Sequence, residues 1–199
     1  MACEQIVLRL PGWVEEFLDE RGERFGTEDE RMRLIIELSQ LNVEHRTGGP
    51  FGAGVFEQQT GRIVAVGVNV VESYNCSIAH AEIVAIALAE QSLGCYDLGA
   101  EGRPTHELVA STEPCAMCLG AIPWSGVRRV VCGARGEDAV ETGFDEGAKP
   151  SDWVGALQSR GIEVVRDVLR EEARAVLRKY RESGGLIYNA RRARRGQRS

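Results

Sequence analysis

The stretch Glu107-Leu108-Val109-Ala110-Ser111-Thr112-Glu113-Pro114-Cys115-Ala116-Met117-Cys118-Leu119-Gly120-Ala121-Ile122-Pro123-Trp124 decides the fold. Glu107 to Ser111 reads as a short buried strand and Cys115 to Trp124 as a short helix. Pro114 suits a helix's first turn, where its missing N–H costs nothing. Downstream, Val127 to Gly133 is another strand and Glu137 to Thr142 a weak helical stretch. Asp152 to Ser159 reads as helix and Gly161 to Val165 as a last strand. The closing helix carries Leu169, Ala173, Val176, Leu177 and Tyr180 on one face and stops at Gly184-Gly185.

Upstream, His80 to Leu93 is helical and Ala-rich, broken at Gly94. Phe51 to Phe56 and Arg62 to Val71 are apolar and β-branched, with a turn at Gln58-Gln59-Thr60-Gly61, which predicts a hairpin. Two amphipathic helices open the chain, around Trp13, Val14, Phe17 and Leu18 and around Met32, Ile35, Ile36 and Val43. The second ends before the breaker Thr47-Gly48-Gly49-Pro50. Strands alternating with helices after a hairpin predict an α/β fold, a three-layer α/β/α sandwich with a mixed five-stranded sheet. A helix between the last two strands makes that pair parallel. The expected organisation is a helical extension over 1–29, one domain over 30–189 and a basic tail over 190–199.

The chain has 199 residues and a formal net charge of -6. That balance argues against a surface built on phosphate neutralisation, which needs clustered Lys and Arg. Nucleic acid is therefore not the expected partner, although Arg191-Arg192-Ala193-Arg194-Arg195 is a basic run. The longest apolar run, Ile63 to Val71, is too short to span a bilayer, and the acidic first 20 residues show no secretory signal. Cys3, Cys76, Cys95, Cys115, Cys118 and Cys132 are scattered through helices and strands, which fits a reducing compartment better than a disulfide framework. A cytoplasmic location is expected.

His80-Ala81-Glu82 and Pro114-Cys115-Ala116-Met117-Cys118 carry the chemistry. A catalytic zinc takes three imidazole or thiolate ligands and keeps its fourth position for water. Cys115 and Cys118 are three residues apart and share a helix face. A helix N-terminus favours the thiolate. Each ligand set opens a helix, so two helix starts converge on one metal held by His80, Cys115 and Cys118. Glu82 is not a ligand; from the first turn it can take a proton from the zinc-activated water and return it to the leaving amine. A lone C-x-x-C is ambiguous among redox, structural-zinc and core roles. An H-x-E at a helix start followed by P-C-x-x-C is far more restrictive and matches the zinc deaminase signature. The competing structural zinc site needs a fourth ligand, for which only Cys76 or Cys132 is a candidate.

On these motifs the chain resembles the cytidine deaminase superfamily, and within it the bacterial guanine deaminase branch. The resemblance runs from about Glu30 to Asn189. It rests on Gly48-Gly49-Pro50-Phe51-Gly52-Ala53, Asn69, His80-Ala81-Glu82, Thr112 to Ala121, Trp124 and Gly143-Phe144-Asp145-Glu146. It implies that Asn69 hydrogen-bonds the purine and that Glu146 reads the guanine edge and assists proton transfer. It also implies that Phe51, Ala81 and Trp124 help form the base pocket. Tyr188 is the aromatic that lies over a site, its own or, through an exchanged C-terminal segment, that of a partner in a homodimer.

The expected function is hydrolytic deamination of a free purine base, guanine to xanthine and ammonia, with one catalytic Zn2+ per chain. The alternatives are guanosine, a triazine such as ammeline, or cytosine as substrate. A tRNA-editing adenosine deaminase and a non-catalytic zinc-stabilised binding module are more distant ones.

Overall fold

A computed structural model describes residues 6–189. The elements in chain order are α1 (Gly12–Asp19), α2 (Glu28–Glu44), β1 (Gly52–Glu57), β2 (Ile63–Val68), α3 (Val71–Tyr74), α4 (Ala81–Leu93) and β3 (His106–Thr112). There follow α5 (Ala116–Ser125), β4 (Arg129–Ala134), α6 (Gly136–Thr142), α7 (Trp153–Gln158), β5 (Glu163–Val165) and α8 (Arg170–Glu182). The five strands form one mixed sheet in the order β2-β1-β3-β4-β5. The hairpin β1–β2 is antiparallel, as is β1–β3. The β3–β4 and β4–β5 pairs are parallel. The expected α/β fold, its five-stranded mixed sheet and the parallel last pair are all present.

The period of two along the strands separates two cores. Val109 and Val131 pack with Met32, Ile35, Leu38 and Leu177 on the α2/α8 side. Their neighbours Leu108, Ala110, Val130 and Cys132 pack with Ala85, Ile122 and Leu157 on the α4/α5/α7 side. Each buried Val, Leu, Ile or Met among these contributes about 1.5–3 kcal/mol. Val14 and Phe17 of α1 belong to the first core. Thr27 caps α2 in a reciprocal pair with Glu30, accepting from its N–H at 3.1 Å while Glu30 accepts from Thr27 N–H at 2.9 Å. The expected boundary at residue 29 thus falls inside a capped helix. The basic tail over 190–199 lies outside the described residues.

One close approach positions the site. A Cβ on Gly67 of β2 would lie 2.1 Å from the Ala81 carbonyl, so only glycine lets the first turn of α4 sit directly on the sheet. Among the described residues no helix is long and apolar enough to cross a membrane.

Candidate active site

Two helix N-termini meet here. His80 is the N-cap residue of α4 and Glu82 lies in its first turn. Cys115 is the N-cap residue of α5 and Cys118 lies in its first turn. Both helix ends aim the positive pole of their backbone dipoles at the same point. His80 Nδ1 lies 3.6 Å from Cys115 Sγ and 3.6 Å from Cys118 Sγ. The ligand atoms of His80, Cys115 and Cys118 all lie within 4.8 Å of one another.

The donor set fits zinc. With Zn–S near 2.3 Å and Zn–N near 2.0 Å, tetrahedral ligand atoms stand about 3.5–3.8 Å apart, the spacing seen between the imidazole and each thiol. Three ligands also leave a position open, as a catalytic rather than a closed structural site requires. A hydrogen bond from the Cys118 thiol, with burial opposing it and His80 assisting, holds Cys115 down to about 4. The same bond, together with burial, pushes Cys118 up. Burial pulls His80 down, but its bond to Cys115 and the charge of Glu82 outweigh that and raise it.

Beside the ligands is a cavity of about 480 Å³ lined by Phe51, Asn69, Glu82, Phe144, Glu146 and Tyr188, among others. Burial, and secondarily the charge of Cys115, raise the Glu82 carboxyl above its usual range. The same two causes push Glu146 up to about 8. Glu146 Oε2 is buried and has no hydrogen-bond partner, while its backbone carbonyl accepts from Ala116 N–H at 2.9 Å. A buried unpaired carboxyl oxygen is costly and calls for a ligand to satisfy it. Asn69 is fully buried and donates from Nδ2 to the Tyr188 hydroxyl at 2.6 Å. The Phe51 and Phe144 rings meet edge to face at 4.8 Å, and the Tyr188 ring meets Phe144 at 5.6 Å.

Eight of the expected site residues therefore gather at one place: Phe51, Asn69, His80, Glu82, Cys115, Cys118, Glu146 and Tyr188. Two do not line the cavity. Trp124 is 85% exposed, because nine residues beyond Cys115 an α-helix has turned its side chain to the opposite face. Ala81 is fully buried, and its methyl group packs into the core with Ala53 and Ala85. Tyr188 lies on the site of its own chain.

Phe144, in the Gly-Phe-Asp-Glu motif, joins Phe51, Tyr180 and Tyr188. Asn189 stands at the end of the segment that the resemblance covers. Its Oδ1 accepts from Asp145 N–H at 3.1 Å and its Nδ2 donates to the Gly143 carbonyl at 2.9 Å, tying the loop that carries Glu146 to the C-terminus. An aromatic inside a Gly-rich acidic loop was the available signal for Phe144; nothing local marked Asn189.

A sheet of this order, with an imidazole, two thiols and a buried carboxyl at converging helix starts, defines a hydrolytic zinc deaminase. The chain belongs to the cytidine and deoxycytidylate deaminase family, whose zinc-binding-region model matches residues 26–134. It is 40% identical to the guanine deaminase of Bacillus subtilis over 115 residues, 58% of this chain and 69% of the relative. It is 33% identical to the tRNA-specific adenosine deaminase of Agrobacterium fabrum over 143 residues, 65% of this chain and 90% of the relative. The solved structure of guanine deaminase from Nitrosomonas europaea superimposes with a TM-score of 0.86 at 42% identity, covering 92% of this chain and 99% of that one.

Proposed function

We propose that this protein is a guanine deaminase, converting guanine and water to xanthine and ammonia. The observation that carries this is that Asn69 and Glu146 line one cavity beside the metal ligands. The likeness to the two guanine deaminases supports the same substrate. A bound zinc ion, held by His80, Cys115 and Cys118, supplies Lewis-acid chemistry that brings the pKa of a water toward neutrality.

The protein's own residues do the rest. Glu82 takes a proton from the attacking water, and burial suits it to the task by raising its pKa toward working pH. The water oxygen bonds to C2 of guanine as Glu82 passes its proton to the adjacent ring nitrogen; Glu82 then takes the proton of the new C2 hydroxyl and gives it to the amine, and the C–N bond breaks with its electron pair on nitrogen to leave xanthine and ammonia. Asn69 and Glu146 bind the polar edge of the base, Glu146 also assisting proton transfer. Phe51, Phe144 and Tyr188 cover its faces and exclude water. A base lacking the matching donors leaves buried polar groups unpaired, which is the strong form of discrimination.

Tyr188 lines the cavity, and the chain carries 30 acidic against 24 basic residues, so a free base suits it better than a nucleic-acid strand. A homodimer belongs to this reading, as the resemblance to the guanine deaminase branch implies. The free cysteines Cys76, Cys95, Cys115, Cys118 and Cys132 support a reducing, cytoplasmic location.

Ammonia release from guanine, guanosine, adenine, cytosine, cytidine and ammeline, with adenosine in a tRNA anticodon stem-loop alongside, tests the substrate. Guanine is expected to turn over fastest. Guanine inert while another compound is active would replace the substrate and keep the reaction type.

A further inference from the structure

The substrate-facing residue Asn69 is held from behind by a relay that starts in α1. Trp13 Nε1 donates to Thr47 Oγ1 at 3.1 Å, and the Thr47 hydroxyl donates to Asn42 Oδ1 at 2.7 Å. The two N–H groups of Asn42 Nδ2 then go to the carbonyl of Gly49 and to the carbonyl of Asn69, each at 2.8 Å. Asn42 and Asn69 are both fully buried. Trp13 is fixed at the other end by stacking on His45, ring centroids 5.0 Å apart and planes 4° from parallel.

Every donor and acceptor in the relay that must be buried has a partner, and the donors run in one direction from the indole to the Asn69 carbonyl. A fully satisfied polar network in a low-dielectric interior holds one geometry and resists the alternatives. The backbone is fitted to it as well. A Cβ on Gly48 would stand 1.8 Å from the Asn69 carbonyl oxygen, so the loop and the strand end are already in contact there. A Cβ on Gly49 would stand 3.4 Å from both Asn69 Oδ1 and Tyr188 Cε1.

We propose that Trp13, Thr47 and Asn42 are positioning residues for the base-binding Asn69, and that α1 is thereby part of the specificity apparatus. None of the three lines the cavity, so they act only through Asn69 and the loop at residues 47–51. The proposal rests on the reading of Asn69 as a contact for the purine. It gives the N-terminal helix a role that its burial of Val14 and Phe17 alone does not supply.

The test compares Thr47→Val, which keeps shape and removes the hydroxyl, with Thr47→Ser, which keeps the hydroxyl. Trp13→Phe keeps the ring over His45 and removes the N–H. Thr47→Val and Trp13→Phe are expected to raise KM for guanine about fivefold, with kcat within about twofold of wild type. Thr47→Ser is expected to restore the wild-type KM. A second readout needs no turnover: hydrogen exchange in the segment at residues 67–74 is expected to quicken about tenfold in Thr47→Val, while the β3 segment at residues 106–112 stays protected. Unchanged KM together with unchanged exchange at 67–74 would overturn the proposal, and so would a loss spread equally over kcat and the protection of β3. A wild type inert toward guanine, with the exchange change still present, would overturn the substrate and leave the relay standing.

Discussion

Asn69 stands fully buried between the Asn42 side chain and the Tyr188 hydroxyl, so its amide has a fixed direction into the cavity. On the proposed function, replacing it by alanine removes the base contact, and it also takes away the partner of the half-buried Tyr188 hydroxyl. Asn69→Ala is expected to lower kcat/KM for guanine at least tenfold, about 1.4 kcal/mol or more, measured by steady-state xanthine formation. His80, Glu82, Cys115 and Cys118 were legible in the sequence because metal chemistry needs fixed residue types at fixed helical spacing. Asn69, Glu146 and Tyr188 were legible only through family resemblance, since an asparagine at a strand end and a glutamate in a loop have ordinary uses. Trp124 entered by the same resemblance; half a turn of helix phase from Cys115 puts its side chain on the face away from this chain's cavity. Asn42 and Thr47 left no sequence signal, because their partners are backbone carbonyls and an indole far along the chain.

Helix α6 leads from the sheet into the loop that carries Glu146, and Asp138 fastens its start. The Asp138 carboxylate accepts from Arg135 N–H at 2.8 Å and from both Nε and Nη2 of Arg170 at 3.0 Å. Burial alone would raise its pKa, but the Arg170 bonds and the Arg135 N–H outweigh burial and hold it below the usual aspartate value. A lowered carboxylate pKa contributes stability that is present at neutral pH and is lost as pH falls through the folded pKa. Asp138→Asn is therefore expected to destabilise the protein by about 2 kcal/mol at pH 7. The gap in melting temperature between variant and wild type narrows below about pH 4. Constant difference across pH would show that the charge is not the cause. At this scale the long periodic elements were legible and the short ones were not. The pattern of α8 needed no partner to identify it, whereas α3, four residues long, is too short to show a period. The strand expected over Arg62 to Val71 is longer than β2, which ends at Val68 where the chain turns into α3. Pro114, expected in the first turn, lies just outside the helix, with Cys115 as the N-cap.

The molecule as a whole is one sheet whose ends of β2 and β3 feed the helices that bear the ligands, with the C-terminal segment folded back over the result. The pattern of apolar runs alternating with helices points to a sheet covered on both faces, but not to β1 lying between β2 and β3, because it carries no information on which strands are neighbours. Nor could it show that Tyr188 returns to its own chain, a contact spanning 119 residues. Together these elements make a cavity in which the buried Glu82 carboxyl stands beside the zinc ligands, and on the proposed function Glu82 moves the protons of guanine hydrolysis there. The decisive measurement is xanthine formation from guanine by the wild type and by Glu82→Gln, with zinc counted in both. The wild type is expected to turn over guanine with one zinc per chain, and Glu82→Gln to keep its zinc while losing at least about a thousandfold in kcat. Near-normal xanthine formation by zinc-loaded Glu82→Gln would contradict it.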